Sequence, residues 1–212
     1  MPNNTTNQQL TKRSKQLSWL LRHGAYDQGF AMDEAGWMNV QDVLTFLNMS
    51  RAELKLILNT NNKQRIQLRG QRVRACQGHS TNNRAVTQVA LEASWLEYKS
   101  DASIWHGTTV SAMERIALQG ILPMARTHVH CTPTIDSTIG KRATSEVMIE
   151  ISPVKLREAG LNIYIAPNGT LLVRRVPPKA IVGCVPLTRR AKKRQAELER
   201  SMATLRRANL SL

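Results

Sequence analysis

The sequence predicts an α+β fold in two lobes, on three observations. Residues 14–60 hold three stretches with apolar residues at helical spacing, residues 65–75 alternate apolar and basic residues about a central glycine, and the second half alternates short strands and helices around one Asn-Gly turn. With 212 residues and 42% hydrophobic composition, the chain can bury a core in each lobe.

The opening segment, 1–13, is polar and expected to be flexible. A first helix is expected from Ser14, with Leu17, Leu20 and Leu21 on one face, ending at Gly24 in a left-handed cap. After the turn-forming DEAGW (33–37), Val40, Val43, Leu44 and Leu47 repeat the helical period. Ser50 and Glu53 form a capping box ahead of Leu54, Ile57 and Leu58, fixing the start of a third helix. RIQLRGQRVRA then sets Ile66, Leu68, Val73 and Ala75 against basic neighbours, a hairpin turned at Gly70. Three short helices followed by a basic hairpin is the layout of a winged helix, a nucleic-acid-binding unit, and residues 14–98 are assigned to it.

A short helix around ALEASWLEY (90–98) and the polar KSDAS stretch mark the boundary. Beyond it, IWHGTT and HVHCT read as short strands and EVMIEIS as a buried one, while SAMERIALQ is a helix capped by Gly120 and PVKLREAG another. LNIYIAPNGTLLVRRV is a hairpin turned at Asn168-Gly169, and IVGCVPL closes a mainly antiparallel sheet, so residues 99–186 form the second lobe. The remainder, 187–212, is a basic helical tail whose apolar stripe is too thin for a core of its own; it reads either as a polyanion-contacting helix or as a solvated end.

Thirty basic against fifteen acidic residues give a net charge of +15, and the tail carries six of these charges, so the body is basic in its own right. Such a balance favours a polyanionic partner, nucleic acid above all, through phosphate neutralisation. No run approaches the roughly 18 apolar residues of a membrane span, and the first residues lack the apolar core of a signal peptide. A cytoplasmic protein without membrane contact is expected. Three dispersed cysteines signal neither a disulfide framework nor a cysteine zinc site, and the lack of a heptad pattern favours a monomer with no stable protein partner.

Four of the five histidines fall in short polar clusters, RHG, GHS and HVH, and the fifth opens HGTT. On a strand, His128 and His130 share a face, a geometry that serves a metal or a substrate. A third ligand would have to be His79 or His106, and neither carboxylates nor thiolates stand beside them in sequence, so no metal is expected. Arg22, Arg65, Arg74 and Arg126 sit beside these histidines or in the basic hairpin, and arginine forks pair bidentately with phosphate. None of the clusters contains Asp or Glu, which removes the paired carboxylates of a glycosidase and the acid of a hydrolytic triad. Neither G-x-G-x-x-G nor G-x-x-x-x-G-K-[ST] occurs, so a nucleotide must be held without a Rossmann turn or a P-loop.

In order along the chain, SKQLSWLLRH, DEAGW, NKQRIQL, VRACQGHS, WHGTT, GILPMARTHVHCT and PNGTLLVRRVPP resemble the RNA (tRNA) 2′-phosphotransferases over residues 14–186. The resemblance implies an NAD-dependent enzyme with a winged-helix RNA-binding lobe and an ADP-ribosyltransferase-like, NAD-binding lobe built on a split sheet. It implies as substrate a 2′-phosphorylated RNA, such as spliced tRNA. The internal 2′-phosphate would be transferred to NAD through a 2′-phospho-ADP-ribosylated RNA, giving 2′-hydroxyl RNA, nicotinamide and ADP-ribose 1″,2″-cyclic phosphate.

By the same resemblance the catalytic residues are Arg22, His23, Arg65 and Arg126, and the NAD-binding residues are His106, Gly107, Thr108, His128, His130 and Thr132. Arg74, Gln77, His79 and Ser80 are expected to face the RNA. A phosphate nucleophile is already anionic and needs positioning rather than a carboxylate base, which accounts for the missing acids. His23, with an ordinary pKa of about 6.5, is the expected proton donor to the departing RNA oxygen. The chain departs from the family pattern at Cys76, at Cys131-Thr132 and at Thr170, the last standing where an apolar residue replaces the transferase glutamate. Two other functions stay open: ADP-ribosylation of terminal phosphates of RNA or DNA, and a non-catalytic winged-helix RNA-binding protein.

Overall fold

A computed structural model describes residues 4–60, 63–137, 139–140 and 144–210, so the first three residues of the 1–13 segment and the last two of the tail lie outside the described residues. The chain divides into two compact units, Met1–Trp95 with Ala125–Thr127, and Leu96–Met124 with His128–Leu212. Arg126, which its sequence position assigns to the second lobe, is thereby grouped with the first unit.

In the first unit, helix α1 (Asn4–Trp19) starts ten residues before the expected Ser14. Tertiary contacts extend it: Leu10 packs on the core, and the Arg13 guanidinium donates to the carbonyls of Leu47 at 2.6 Å and Asn48 at 3.2 Å. The helix runs on into a π-helical turn, Leu20–Gly24, closed by the Ala25 N–H donating to the Leu20 carbonyl at 3.0 Å. Gly24 is therefore not the expected left-handed cap. Its role is steric, since a Cβ there would stand 2.5–2.8 Å from three ring atoms of Trp19.

Strand β1 (Met38–Asn39) leads into α2 (Val40–Phe46), whose start is capped by the Asn39 side chain accepting from the Gln41 N–H at 2.7 Å. Helix α3 (Arg51–Thr60) begins with the expected capping box, the Ser50 N–H donating to Glu53 at 2.8 Å and the Glu53 N–H to Ser50 Oγ at 3.1 Å. Strands β2 (Ile66–Arg69) and β3 (Arg72–Ala75) form the basic hairpin and join β1 in an antiparallel sheet of order β1-β3-β2. Leu17, Leu20 and Leu21 meet Val40, Val43, Leu54 and Ile57 in the core, with Ile66 and Val73 from the hairpin. Burying each such side chain contributes about 1.5–3 kcal/mol, which fastens the π turn to the unit. Helix α4 (Gln88–Ala93) stops short of the expected 98, and the following Leu96–Glu97 forms strand β4 in the second unit.

The second unit holds two antiparallel sheets. One has the order β10-β7-β5, from Ile181–Pro186, Val147–Ile151 and Ile104–Thr108; the other has the order β4-β8-β9-β6, its last three strands being Tyr164–Ile165, Leu171–Val173 and Val129–Cys131. They touch at one bridge, Trp105 with Thr132. At the Asn-Gly turn the Gly169 N–H donates to the Ala166 carbonyl at 2.8 Å and the Ala166 N–H to the Thr170 carbonyl at 2.9 Å. With Gly169 at φ +79° this is a three-residue loop ending in a glycine bulge. Helices α5 (Met113–Gln119) and α6 (Pro153–Glu158) flank the strands, and α5 ends at Gly120 in the expected positive-φ conformation.

The tail is helical as expected, and it is seated on the second unit rather than forming a solvated end. It forms α7 (Arg189–Lys193) and α8 (Gln195–Leu210), and Ala191, Leu198 and Leu205 are buried in the core of the second unit. A stripe of about one apolar residue per turn suffices because it seats on a core already built by the sheet and α5. Its basic residues Arg189, Arg190, Lys192, Lys193, Arg200, Arg206 and Arg207 remain exposed. No described helix is long and apolar enough to cross a membrane.

Candidate functional site

The first unit gathers the adjacent pair Arg22 and His23 with Arg65 and Arg126, which lie far from it in sequence. Arg22 and His23 stand on the π turn. Helix ends leave carbonyls without an intrahelical partner, and the Ser80 N–H donates to that of Arg22 at 3.0 Å. Ser80 in turn pairs with Arg126 in an antiparallel bridge, flanked by the Thr127 N–H donating to the His79 carbonyl and the Thr81 N–H to the Ala125 carbonyl, each at 3.1 Å. Arg65 precedes β2, and its carbonyl accepts from the Cys76 N–H at 2.8 Å. Three separate segments are thus tied by backbone hydrogen bonds around one cluster.

The cluster is cationic and under electrostatic pressure. Burial, then Arg126, then Arg65, push the Arg22 pKa down to about 10. Its Nε and Nη2 are buried and have no hydrogen-bond partner among the described residues. Buried donors left unsatisfied cost about 1–3 kcal/mol each, more when charged, so the fold carries a deficit that an anion would remove. Burial, then Arg22 and Arg126, likewise hold the His23 pKa below its ordinary value. The same burial raises the Cys76 thiol to about 11, so it stays neutral, with its Sγ 3.2 Å from the Gln64 carbonyl.

Arg22, His23 and Arg65 line a pocket of about 670 Å³ in this unit. The rest of its wall was not marked in the sequence reading. Leu10, Thr11, Ser14, Lys15, Ser18 and Trp19 come from α1, Ile57 and Thr60 from α3. Positions 11, 14, 15, 18, 19 and 22 follow helical spacing, a polar stripe opposite the apolar one at Leu17, Leu20 and Leu21. That periodicity was the available signal.

The remaining residues expected to face RNA are buried. Arg74 is 3% exposed and its guanidinium is used inside the fold: Nε donates to Gln67 at 2.9 Å, Nη1 to Ser94 at 2.7 Å and to the Ala35 carbonyl at 3.2 Å, and the group lies 4.6 Å from the Trp37 ring centre. Gln77, His79 and Ser80 are buried too. The His79 ring packs on Gly36, where a Cβ would stand 2.6 Å from Nε2; Gly36 is at φ +83°. DEAGW is thereby shaped to receive the histidine of QGHS.

In the second unit, His106, Gly107 and Thr108 lie half-buried on β5, and His130 half-buried on β6. His106 Nδ1 donates to the His130 carbonyl at 2.8 Å, which keeps a proton on Nδ1 and fixes the orientation of the ring. Thr132 and Trp105 exchange backbone hydrogen bonds at 2.8 and 2.9 Å, and the Thr132 hydroxyl donates to the Thr134 carbonyl at 2.7 Å. His128 and Thr132 are fully buried, as is Thr170 beside the hairpin turn. Imidazole and hydroxyl groups suit the neutral ribose and amide groups of a nucleotide.

A family model described as "RNA 2′-phosphotransferase, Tpt1 / KptA family" matches residues 8–175. Among curated relatives, a probable RNA 2′-phosphotransferase of Pseudomonas savastanoi pv. phaseolicola is 35% identical over 172 residues, 77% of this chain and 88% of that protein. Its namesake from Burkholderia lata is 34% identical over 176 residues, 79% and 87% of the two chains. Another, from Bacillus thuringiensis subsp. konkukian, is 28% identical over 181 residues, 81% and 94%.

Proposed function

The chain belongs to the RNA 2′-phosphotransferase family, and from that membership we propose that it removes an internal 2′-phosphate from RNA by transfer to NAD. The observation that carries this reading is the half-buried Arg22 guanidinium, whose Nε and Nη2 are buried without a partner among the described residues, beside two further arginines. In this reading the 2′-phosphate sits on Arg22, Arg65 and Arg126, whose charges cancel its own and hold an oxygen ready to attack. These arginines also stabilise charge on the phosphoryl oxygens when the phosphate leaves the RNA, and losing one such donor costs about 3–4 kcal/mol.

Burial first, and then the Arg22 and Arg126 charges, disfavour the protonated form of His23 in the free protein. A bound phosphate compensates those charges, so His23 takes up a proton on binding and returns it to the departing RNA oxygen. Arg74, Gln77, His79 and Ser80 act as supports for the cluster rather than as direct RNA contacts. The first unit, with three helices ahead of a basic hairpin, is read as the winged-helix lobe. The second, with two antiparallel sheets meeting at Trp105 and Thr132, is read as the ADP-ribosyltransferase-like lobe.

There, His106, Thr108 and His130 would hold NAD, with Gly107 giving close backbone approach and His128 and Thr132 fixing the strands. Bound NAD supplies an electrophilic ribose carbon with nicotinamide as leaving group. The test incubates the protein with NAD and an RNA bearing one internal 2′-phosphate. Loss of the phosphate only with NAD, with release of ADP-ribose 1″,2″-cyclic phosphate, is expected. ADP-ribosylation of a 5′-phosphorylated oligonucleotide without such release would replace this reading by terminal-phosphate modification, and RNA binding without turnover would leave a binding protein.

A further inference from the structure

The polar stripe of α1 has no part in the chemistry just described, yet it lines the same pocket as Arg22, His23 and Arg65. Lys15 is exposed and forms no ion pair among the described residues, and no carboxylate lines the pocket. Ser14 and Ser18 flank Lys15 with hydroxyl donors, and Trp19 is 47% exposed. Lys15 and Arg22 are two turns apart on one face, ~10 Å along the axis, which is too far for one phosphate to bridge them. A cation, hydroxyls and an open indole along one wall are the groups that track a nucleic-acid strand: charge and hydroxyls for the backbone, an aromatic face for a base.

We propose that this wall is an RNA-strand subsite, in which Lys15 with Ser14 and Ser18 holds the backbone phosphate of a nucleotide neighbouring the reactive one, and Trp19 stacks on a base. It rests on the reading that Arg22 and its partners take the 2′-phosphate. The subsite makes the enzyme prefer a 2′-phosphate embedded in a strand over the same group on a minimal fragment.

The test measures binding of a fluorescent hexanucleotide RNA with one central 2′-phosphate to the full chain, without NAD, over a range of salt concentrations. Lys15→Glu is expected to weaken binding by about tenfold and to lower the slope of log affinity against log salt by about 1. Lys55→Glu, an equal charge change at an exposed position outside the pocket, is expected to keep the wild-type slope. Trp19→Leu is expected to weaken binding by about tenfold and Trp19→Phe by much less. Equal effects of Lys15→Glu and Lys55→Glu, or wild-type affinity in Lys15→Glu, would overturn the subsite. NAD-dependent phosphate removal by the wild type is scored separately. Turnover with wild-type KM in Lys15→Glu removes the subsite alone, whereas Lys15-dependent binding without turnover removes the phosphotransferase reading alone.

Discussion

The backbone N–H of Ser80 donates to the carbonyl of Arg22 at 3.0 Å, and Ser80 also pairs with Arg126. One residue thereby sets the spacing of two arginines of the cluster that stand more than a hundred positions apart in the chain. Proline at this position removes the N–H without replacing Arg22, His23, Arg65 or Arg126. Ser80→Pro is expected to lower kcat/KM by about a hundredfold, the order that a displacement near 1 Å costs. Ser80→Ala, which keeps the N–H, is expected to retain most of the activity, with circular dichroism confirming that both variants fold.

Arg22 opposes the folding of the free protein. Its folded pKa of about 10 lies below the ordinary value, so the unfolded chain holds the proton more tightly, and this opposition persists at every pH below about 10. Replacing it by an apolar residue of similar length relieves both the like-charge repulsion and the unsatisfied donors. Arg22→Met is expected to raise Tm by about 2–4 °C in phosphate-free buffer for each kcal/mol relieved, and to abolish turnover. Inorganic phosphate is expected to raise the Tm of the wild type and to leave that of Arg22→Met unchanged. An unshifted wild-type Tm at saturating phosphate would count against an anion site.

His23 gives the site its pH dependence. Its folded pKa is lowered, so the unfolded chain takes up a proton near its ordinary value of about 6.5 while the native state still resists. The residue therefore costs no stability above that pH and an increasing amount as the pH falls below it. His23→Gln is expected to flatten the fall of Tm between about pH 7 and pH 5. Binding of a 2′-phosphorylated RNA is expected to reverse the sign of the shift, so calorimetry in buffers of different ionisation enthalpy should show net proton uptake near neutral pH. The uptake should vanish in His23→Gln.

Local rules made much of the framework legible. The Ser50–Glu53 capping box, the hairpin about Gly70 and the positive φ at Gly120 and Gly169 each depend on residues adjacent in the chain, and each occurs where the sequence places it. The three arginines and His23 were readable as motifs, and their meeting followed from the resemblance, but the contact that brings it about was not readable, because it relies on the Ala125–Thr127 segment pairing with the first unit through Ser80. Where the helical tail packs was illegible for a related reason. A thin stripe such as Leu198 and Leu205 is weak as a core of its own and adequate on an existing one. Arg74 read as a phosphate contact because its type and neighbours fit, whereas Gln67, Ser94 and the Trp37 face already occupy it.

The left-handed turn expected at Gly24 lies at Gly29, with φ +70°, and the difference is testable. A cap glycine is needed for its backbone, whereas Gly24 is needed for the space that Trp19 fills, 2.5–2.8 Å from a would-be Cβ. Gly24→Ala therefore has to displace the indole or open the π turn that carries Arg22 and His23, an overpacking cost of about 1–3 kcal/mol. Trimming the ring should remove the conflict, so Trp19→Leu combined with Gly24→Ala is expected to be less destabilised than the sum of the single changes. Denaturant unfolding of the four proteins gives the coupling energy directly. Additive losses would mean that Gly24 is required for its backbone conformation after all. A favourable coupling would show that the aromatic residue and the glycine act as one unit in shaping the turn that presents Arg22 and His23.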